Sequence, residues 1–313
     1  MIVYAIKRLL QSIPIVLIVI TLVFIIVRIL PGDPAVAALG DYASKEAVEA
    51  LRNRMGLNDP LWLQYFKFLG SILRGDLGKS LITGYPVATQ VAQVLPYTIQ
   101  LTLSGIFLGY LFGIPLGIAA SVHRNKFIDY FNRVFSLVGL SIPAFYLGVL
   151  LMLVFAIKLR LFPVVGGGDI TNLRENLRYL FLPALTLGLI MTAYITRMTR
   201  SSLLNVLRQD YIRTARSKGL VERLVLYKHA LRNALIPIIA LGGLYIIVLI
   251  GSSVMVEIVF SRPGLGKLMV GAIKQRDYTT LQSVMLIYAL IVVVVNLITD
   301  LIYGLIDPRI KYH

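Results

Sequence analysis

The stretch RMTRSSLLNVLRQDYIRTARSKGLVERLVLYKHALRN, Arg197 to Asn233, lies between two apolar runs, 179–196 and 234–257. Each run approaches the ~20 residues that a helix needs to cross a bilayer core. A strongly basic segment between two such runs has to emerge on one side of a membrane, and that fixes the class of the fold. Leu203, Leu204, Leu207, Tyr211 and Ala215 recur at helical spacing, with Arg208, Arg213 and Arg216 on other sides. Lys218 and Gly219 end that predicted helix, because glycine enters the left-handed C-terminal conformation at little cost. Val221, Leu224 and Val225 begin a second amphipathic turn, and Arg232 and Asn233 lead into the next run, where Pro237 is tolerated in the first turns. A helix–Gly–helix of this kind suits the docking of a partner protein. It equally suits a basic amphipathic helix resting on anionic lipid, and at this level both readings stay open.

Outward from this segment the same pattern repeats. The 313 residues are 58% hydrophobic and 15% charged, with mean hydropathy +0.81, whereas soluble domains carry ~25% charge. Apolar runs near 9–30, 98–121, 134–157, 179–196, 234–257 and 281–304 predict an all-α polytopic membrane protein with six transmembrane helices. Ala35-Val36-Ala37 resembles a signal-peptidase site. The run from Leu9 to Val27 is longer than the usual ~7–15-residue signal core, so it is assigned as a span. Four glycines of the second run, Gly105, Gly109, Gly113 and Gly117, stand four residues apart and predict a face for close helix packing.

Lys and Arg density sets the orientation. With the N-terminus cytoplasmic, segments 1–8, 122–133, 197–233 and 305–313 are inside and hold 16 of the 31 basic residues. Asp129, Asp210, Glu222 and Asp307 are the acidic residues of those segments, and ten more lie in or beside the outer loops. Both termini are then cytoplasmic. The net charge of +16 follows from this orientation more simply than from nucleic-acid binding, since no basic stripe is interleaved with stacking aromatics. The outer loop 31–96 is too long to be structureless and predicts a small external subdomain. Within it, Ser44 caps a helix to Met55 with Gly56 as its stop, and Asp59-Pro60 opens another. That second helix carries Leu61, Trp62, Tyr65, Phe66, Leu69 and Leu73 on one side, so it is either interfacial or packed.

Chemistry of the chain's own is hard to find. RGDLGKS, Arg74 to Ser80, ends like a phosphate-binding loop, but that pattern needs glycine five residues before Gly78, and Leu73 stands there. Gly264-Leu265-Gly266-Lys267 fails likewise, with Ser261 five residues back and Leu268 after the lysine. With no cysteine and only His123, His229 and His313, thiolate sites are excluded and no metal site is expected. Span interiors are almost free of charge: Asp300 and Glu257 fall near predicted helix ends, and Asn296 is the main deeper amide.

At 197–233 the chain resembles the inner-membrane permease subunits of binding-protein-dependent ABC importers, in particular the B-type subunit of dipeptide and oligopeptide systems. The family signature is Glu-Ala-Ala, three residues, Gly, nine residues, then Ile-x-Leu-Pro. Arg213, Thr214 and Ala215 occupy its first block, Gly219 its glycine, and His229, Leu231 and Arg232 its last positions. Only Ala215, Gly219 and Leu231 are retained, while RTARSKG and HALRNALIP resemble the peptide-permease branch. So, in order along the chain, do ILPGDP, SIPAFYLG, LPALTLG, VFSRPGLGKL, RDY and DPRIKY.

The resemblance implies a type I importer permease fold in one domain, 1–313, in a bacterial inner membrane. It implies partners: a second, similar permease as heterodimer, two cytoplasmic ATPase subunits that use ATP and Mg, and an extracytoplasmic substrate-binding protein. The chain itself would bind no cofactor and catalyse nothing. Segment 197–233 would couple to the ATPase through Tyr211, Arg213, Ala215, Lys218, Gly219, Val221, Glu222, Arg223 and Leu224, with Val221 and Leu224 filling a groove and Lys218, Glu222 and Arg223 on its rim. Ser252, Ser253 and Asn296 are candidate polar lining for the pathway. The implied substrates are di- or oligopeptides, with nickel chelates, glutathione or another small solute carried by the same machinery as the alternative. From other classes stand an ion-coupled transporter working through Asp300 and Asn296, and a membrane enzyme, for which no catalytic cluster is present.

Overall fold

Helices account for every regular element among the described residues, apart from one isolated bridge between Lys79 and Pro86. The computed structural model describes residues 2–29, 33–40 and 42–306. Leu30, Pro31 and Gly32 of ILPGDP, Asp41, and residues 307–313 with DPRIKY and His313 lie outside them.

In chain order the helices are α1 Ile2–Ile29, α2 Pro34–Leu39, α3 Lys45–Arg54, α4 Leu61–Leu73, α5 Val87–Val122, α6 Phe127–Ser141 and α7 Ala144–Leu151. There follow α8 Leu173–Val206, α9 Asp210–Ser217, α10 Glu222–Leu224, α11 Arg232–Val259, α12 Leu265–Gln275 and α13 Tyr278–Ile306. The helix begun by α7 continues as a π-helical stretch Met152–Lys158, and that begun by α10 as another, Val225–Leu231. Among the described residues, five helices are long and apolar enough to cross a membrane: α1, α5, α8, α11 and α13. With α6 and α7 counted as one broken span there are six.

That break corrects the sequence reading, which drew 134–157 as one continuous helix. α6 and the α7 helix meet at 106°. The cause is Pro143, which has no N–H to continue the ladder and pushes the residue before it out of the helical region. Ile142 accordingly sits at φ −81°, ψ 125°.

The smaller helices follow local rules. Ser44 Oγ accepts from Ala47 N at 3.2 Å to start α3. Gly56, at φ +67°, follows its end. Pro60 stands at the N-cap of α4.

The chain forms two compact units. One comprises residues 99–262 together with the described residues from Val295 onward and the first few of the chain; the other comprises 6–98 and 263–294. The first unit is organised on α8, whose apolar window is mostly buried. The glycine row of α5 lies against it. A Cβ on Gly105, Gly113 or Gly117 would come within 2.9, 2.6 and 2.5 Å of side-chain atoms of Leu187, Ile195 and Thr199, and one on Gly109 would collide with Met191. α6 packs on another side of α8 through a polar seam of buried Asp129, Asn132 and Ser136. α11 stacks Tyr245 on Tyr194 of α8 with ring centroids 3.8 Å apart. In the second unit, Val87 and Val91 of α5, Leu265 and Val284 form the apolar centre.

Candidate functional site

The coupling candidate begins where α8 ends. Helix stops at Val206, and α9 begins only at Asp210 after the turn Leu207–Gln209. This interruption resets the helical phase and corrects the expected stripe. Tyr211 is exposed, and Ile212 takes the inward position with Ala215. The sequence-based stripe missed Ile212 because it ran one helix through the turn.

Leu203, Ile212, Ala215, Val225, Ala230 and Ala234 form a buried cluster, with Ile118 of α5, Val206, Leu207, Leu220 and Leu226 packed against it. Each fully buried Leu, Ile or Val of this set contributes ~1.5–3 kcal/mol. The Ser202 hydroxyl donates to Ala234 O at 2.9 Å, tying α8 to the start of α11. The base of the elbow is thus a small core of its own.

At the tip, Gly219 holds φ +76°. Its amide donates to Arg216 O at 2.9 Å. The chain then reverses so that Arg216 meets Glu222 in a two-pronged pair, Nε–Oε2 at 3.0 Å and Nη2–Oε1 at 2.6 Å. The Arg216 hydrogen bonds hold the Glu222 carboxyl below its usual value and raise that of Arg216 in return. Both side chains are well exposed, so the pair shapes the elbow more than it stabilises it.

Val221 is 69% exposed, and Leu224 also faces outward. Lys218, Glu222, Arg223 and Arg213 are exposed around them. The Tyr211 hydroxyl accepts from Asn233 Nδ2 at 2.8 Å. Beside the tip is a hollow of about 660 Å³ whose walls include Ser121, Leu207, Arg216, Glu222, Arg223 and Tyr227. The elbow thus presents an apolar tip ringed by charge on a buried base.

A clamp sits alongside that the sequence did not reveal. Arg200 of α8 grips Asp129 of α6 through Nε–Oδ1 at 2.5 Å and Nη2–Oδ2 at 2.9 Å. The Asn125 amide donates to Asp129 Oδ2 at 2.9 Å. The Asp129 side chain is fully enclosed. The two residues stand 71 positions apart, and no short-range pattern links them. Arg262 of VFSRPGLGKL is likewise fully buried, donating to Gly167 O at 3.2 Å, Gln100 Oε1 at 2.8 Å and Asn176 Oδ1 at 3.4 Å.

The candidate pathway residues are dispersed. Ser252 and Ser253 turn their hydroxyls back onto their own helix, to Val248 O at 2.9 Å and Ile250 O at 2.7 Å, and Ser253 is fully buried. Asn296 is exposed on α13. RGDLGKS forms a knot in the second unit. Asp76 Oδ1 caps the Gly78 amide at 2.8 Å, and Ser80 Oγ donates to Asp277 Oδ2 of RDY at 2.5 Å. Turn residues, not a helix N-terminus, follow Ser80, so the backbone donors of a phosphate loop are not assembled there. Among the described residues no group of three His, Cys, Asp or Glu side chains is placed to hold a metal ion.

Comparison with known proteins decides the class. The family described as "Binding-protein-dependent transport system inner membrane component" matches residues 113–312, and its N-terminal companion, "Binding-prot-dependent transport system membrane comp, N-term", matches 1–102. The chain belongs to this family.

The permease is 43% identical over 309 residues to the glutathione transport system permease protein GsiC of Pectobacterium atrosepticum, covering 99% of each chain. It is 40% identical, over the same length and coverage, to the GsiC proteins of Salmonella typhimurium (strain LT2) and Escherichia coli (strain K12). Its fold matches an inward-facing MetNI methionine ABC transporter chain at TM-score 0.56 and 19% identity, over 70% of this chain and 96% of that one. An amino acid ABC transporter chain matches at TM-score 0.56 and 16% identity, over 69% and 94%.

The protein is therefore the membrane-spanning permease subunit of an ABC importer, with ATP hydrolysis left to separate subunits. That membership replaces the ion-coupled and enzymatic alternatives. It also implies, in general terms, an ATPase, a further permease and a substrate-binding protein as companions.

Proposed function

We propose that this permease forms half of the pathway of an importer for glutathione and other short peptides, paired with a second, similar permease above two ATPase subunits. The substrate reading rests on full-length identity of 40–43% to permeases named for glutathione, itself a tripeptide, and joins the peptide expectation to its stated alternative. Both termini and the 211–225 elbow face the cytoplasm, and the substrate-binding protein approaches from the other side. Ser252, Ser253 and Asn296 remain the proposed polar lining of the pathway.

The observation that carries the coupling role is the elbow's division of labour: Val221 and Leu224 outward, Leu203, Ile212, Ala215 and Val225 inward. Charge at the tip should block entry into an apolar groove without touching the core that holds the elbow. In the reconstituted transporter, Val221→Asp with Leu224→Asp is expected to abolish both ATPase stimulation by loaded binding protein and uptake of labelled glutathione, with unchanged thermal unfolding of the permease. Full uptake by that variant would overturn the assignment. Uptake of unrelated solutes, with none of glutathione or short peptides, would overturn the substrate reading alone.

A further inference from the structure

α4 is pinned against the C-terminal half of α1. Tyr65 Oη and Thr21 Oγ1 are 2.6 Å apart. The Phe24 ring meets Tyr65 edge-on at 5.3 Å and stacks with Phe68 at 5.9 Å. Arg28 Nε donates to Gln64 Oε1 at 3.0 Å, and its guanidinium lies over the Phe24 ring. One face of α4 is thereby spent on α1.

A second face is not. Trp62, Phe66, Leu69 and Leu73 recur at i, i+4, i+7 and i+11, a narrow apolar strip. Trp62 and Phe66 are each 63% exposed and Leu73 is 88% exposed. Lys67, Ser71 and Arg74 occupy a third side, where Lys67 pairs with Asp59 at 2.5 Å. The helix therefore has one protein face, one bare apolar face and one polar face.

Depth identifies what covers the apolar strip. α1 is the most apolar of the candidate spans and ends at Ile29. At ~1.5 Å per residue, Phe24 and Thr21 lie about 8 and 12 Å inside that end. Leu17, Ile18, Leu22, Ile25 and Ile26 of the same stretch are exposed as well, so the medium around α1 at this level is acyl chain. A helix bonded to Thr21 and Phe24 shares that medium. At 13 residues, about 20 Å, it is too short to cross a ~30 Å core.

We infer that α4 is seated in one leaflet of the bilayer, its Trp62–Phe66–Leu69–Leu73 strip covered by lipid acyl chains at the level of the upper chain segments. Tryptophan suits this depth, since the ring is apolar and its N–H reaches the wet boundary. The inference rests on α1 being a span. It makes part of the 31–96 loop a lipid-held brace for α1 rather than a surface in water.

Trp62 is the sole tryptophan of the chain, so its intrinsic fluorescence reads the strip with no labelling. The full chain is reconstituted in phosphatidylcholine vesicles whose lipid is brominated either near the headgroup end of its chains or near their tips. Emission is expected to fall about two-fold with the shallow bromines and less with the deep ones, matching insertion of ~5–10 Å, while aqueous iodide quenches little. Quenching by iodide without bromolipid quenching would place the strip in water. Quenching by neither would place it under protein. Either result overturns the inference.

Ile13→Trp in a Trp62→Phe background separates this from the reading of α1: bromolipid quenching at position 13 with none at Trp62 refutes the α4 seat and leaves α1 as a span. Phe66→Trp in the same background moves the probe one turn along the strip. It should report the same depth, and iodide quenching there would also overturn the seat.

Discussion

Gly219 offers the sharpest test of the elbow, because its two possible roles predict opposite orders of substitution. Its φ of +76° lies in the left-handed region, and a Cβ built there meets no atom within 4 Å. Space is therefore irrelevant inside the permease, and any cost is conformational. A non-glycine residue pays ~1–2 kcal/mol to hold this conformation, and Gly→Ala recovers ~0.4–1 by narrowing the unfolded ensemble. The net for Gly219→Ala is about 1 kcal/mol, a five-fold shift away from the closed elbow. Gly219→Val adds a branched Cβ and should cost ~2–3 kcal/mol, while Asn enters the left-handed region readily and should cost only a few tenths. The assay is ATPase stimulation by loaded binding protein in the reconstituted transporter, with the permease's thermal unfolding followed in parallel. Stimulation should fall in the order Gly, Asn, Ala, Val, by about five-fold at Ala. If Asn is as damaging as Val, the site needs the missing side chain for contact, not the backbone angle. If Val is harmless, the reversal at residue 219 plays no part in coupling.

The glycine row can be probed the same way. Gly113→Val puts a Cβ 2.6 Å from Ile195 Cβ and should destabilise the α5–α8 seam by ~1–3 kcal/mol, seen as a lowered unfolding temperature in detergent; Gly251→Ala, whose Cβ meets nothing within 4 Å, is the control and should change little. Asp129→Ala leaves Arg200 facing an enclosed site and should cost about 3 kcal/mol, whereas adding Arg200→Ala should cost less than the two single changes combined, as a double-mutant cycle of thermal unfolding would show. The Glu222 carboxyl sits below its usual value of 4.5 because of Arg216. Its contribution is then complete above that value and is lost as pH falls through and below it. Coupling should be flat across neutral pH, and Glu222→Gln should resemble the acid-treated wild type; a loss that begins near neutral pH would contradict the pairing.

Much of the fold was legible because lipid leaves helices few options. Backbone groups must be satisfied within each segment, so apolar length alone located α1, α5, α8, α11 and α13, although α5 starts well before 98 and α8 runs well past 196. α3 and α4 were legible from Ser44, Gly56 and Asp59-Pro60, which act through neighbouring atoms. The third span was misdrawn although Pro143 was in view, because a hydropathy run averages over a single missing N–H. Tyr211 was drawn into the apolar stripe and Ile212 overlooked for a related reason: three turn residues, Leu207–Gln209, carry no glycine or proline to announce the interruption. Asp129–Arg200, Ser80–Asp277 and the Arg262 cluster were illegible in principle. Their partners meet only after helices far apart in sequence have packed, and a lone Asp or Arg near a span end looks the same whether solvated or enclosed.

The first unit connects the elbow to the spans without a soft joint. Leu203, Ile212 and Val225 lock α9 and the turn of helix after α10 to the end of α8, and Ile118 brings the end of α5 into the same cluster. One turn up, Gly117 lies against Thr199, then Gly113 against Ile195, Gly109 against Met191 and Gly105 against Leu187. Backbones in such close approach cannot slide past one another by small amounts, since the side-chain atoms opposite each glycine would collide with the next turn. Arg200 on Asp129 adds the start of α6 to the same body. On the proposed coupling role, a push at Val221 and Leu224 would be passed to α5, α8 and α6 through these contacts as one movement. Among these helices the regular backbone ladder is interrupted most sharply at the 106° bend at Ile142-Pro143. A permease whose ATP hydrolysis is left to separate subunits would be served by this arrangement if, as proposed above, the work is delivered at the exposed tip.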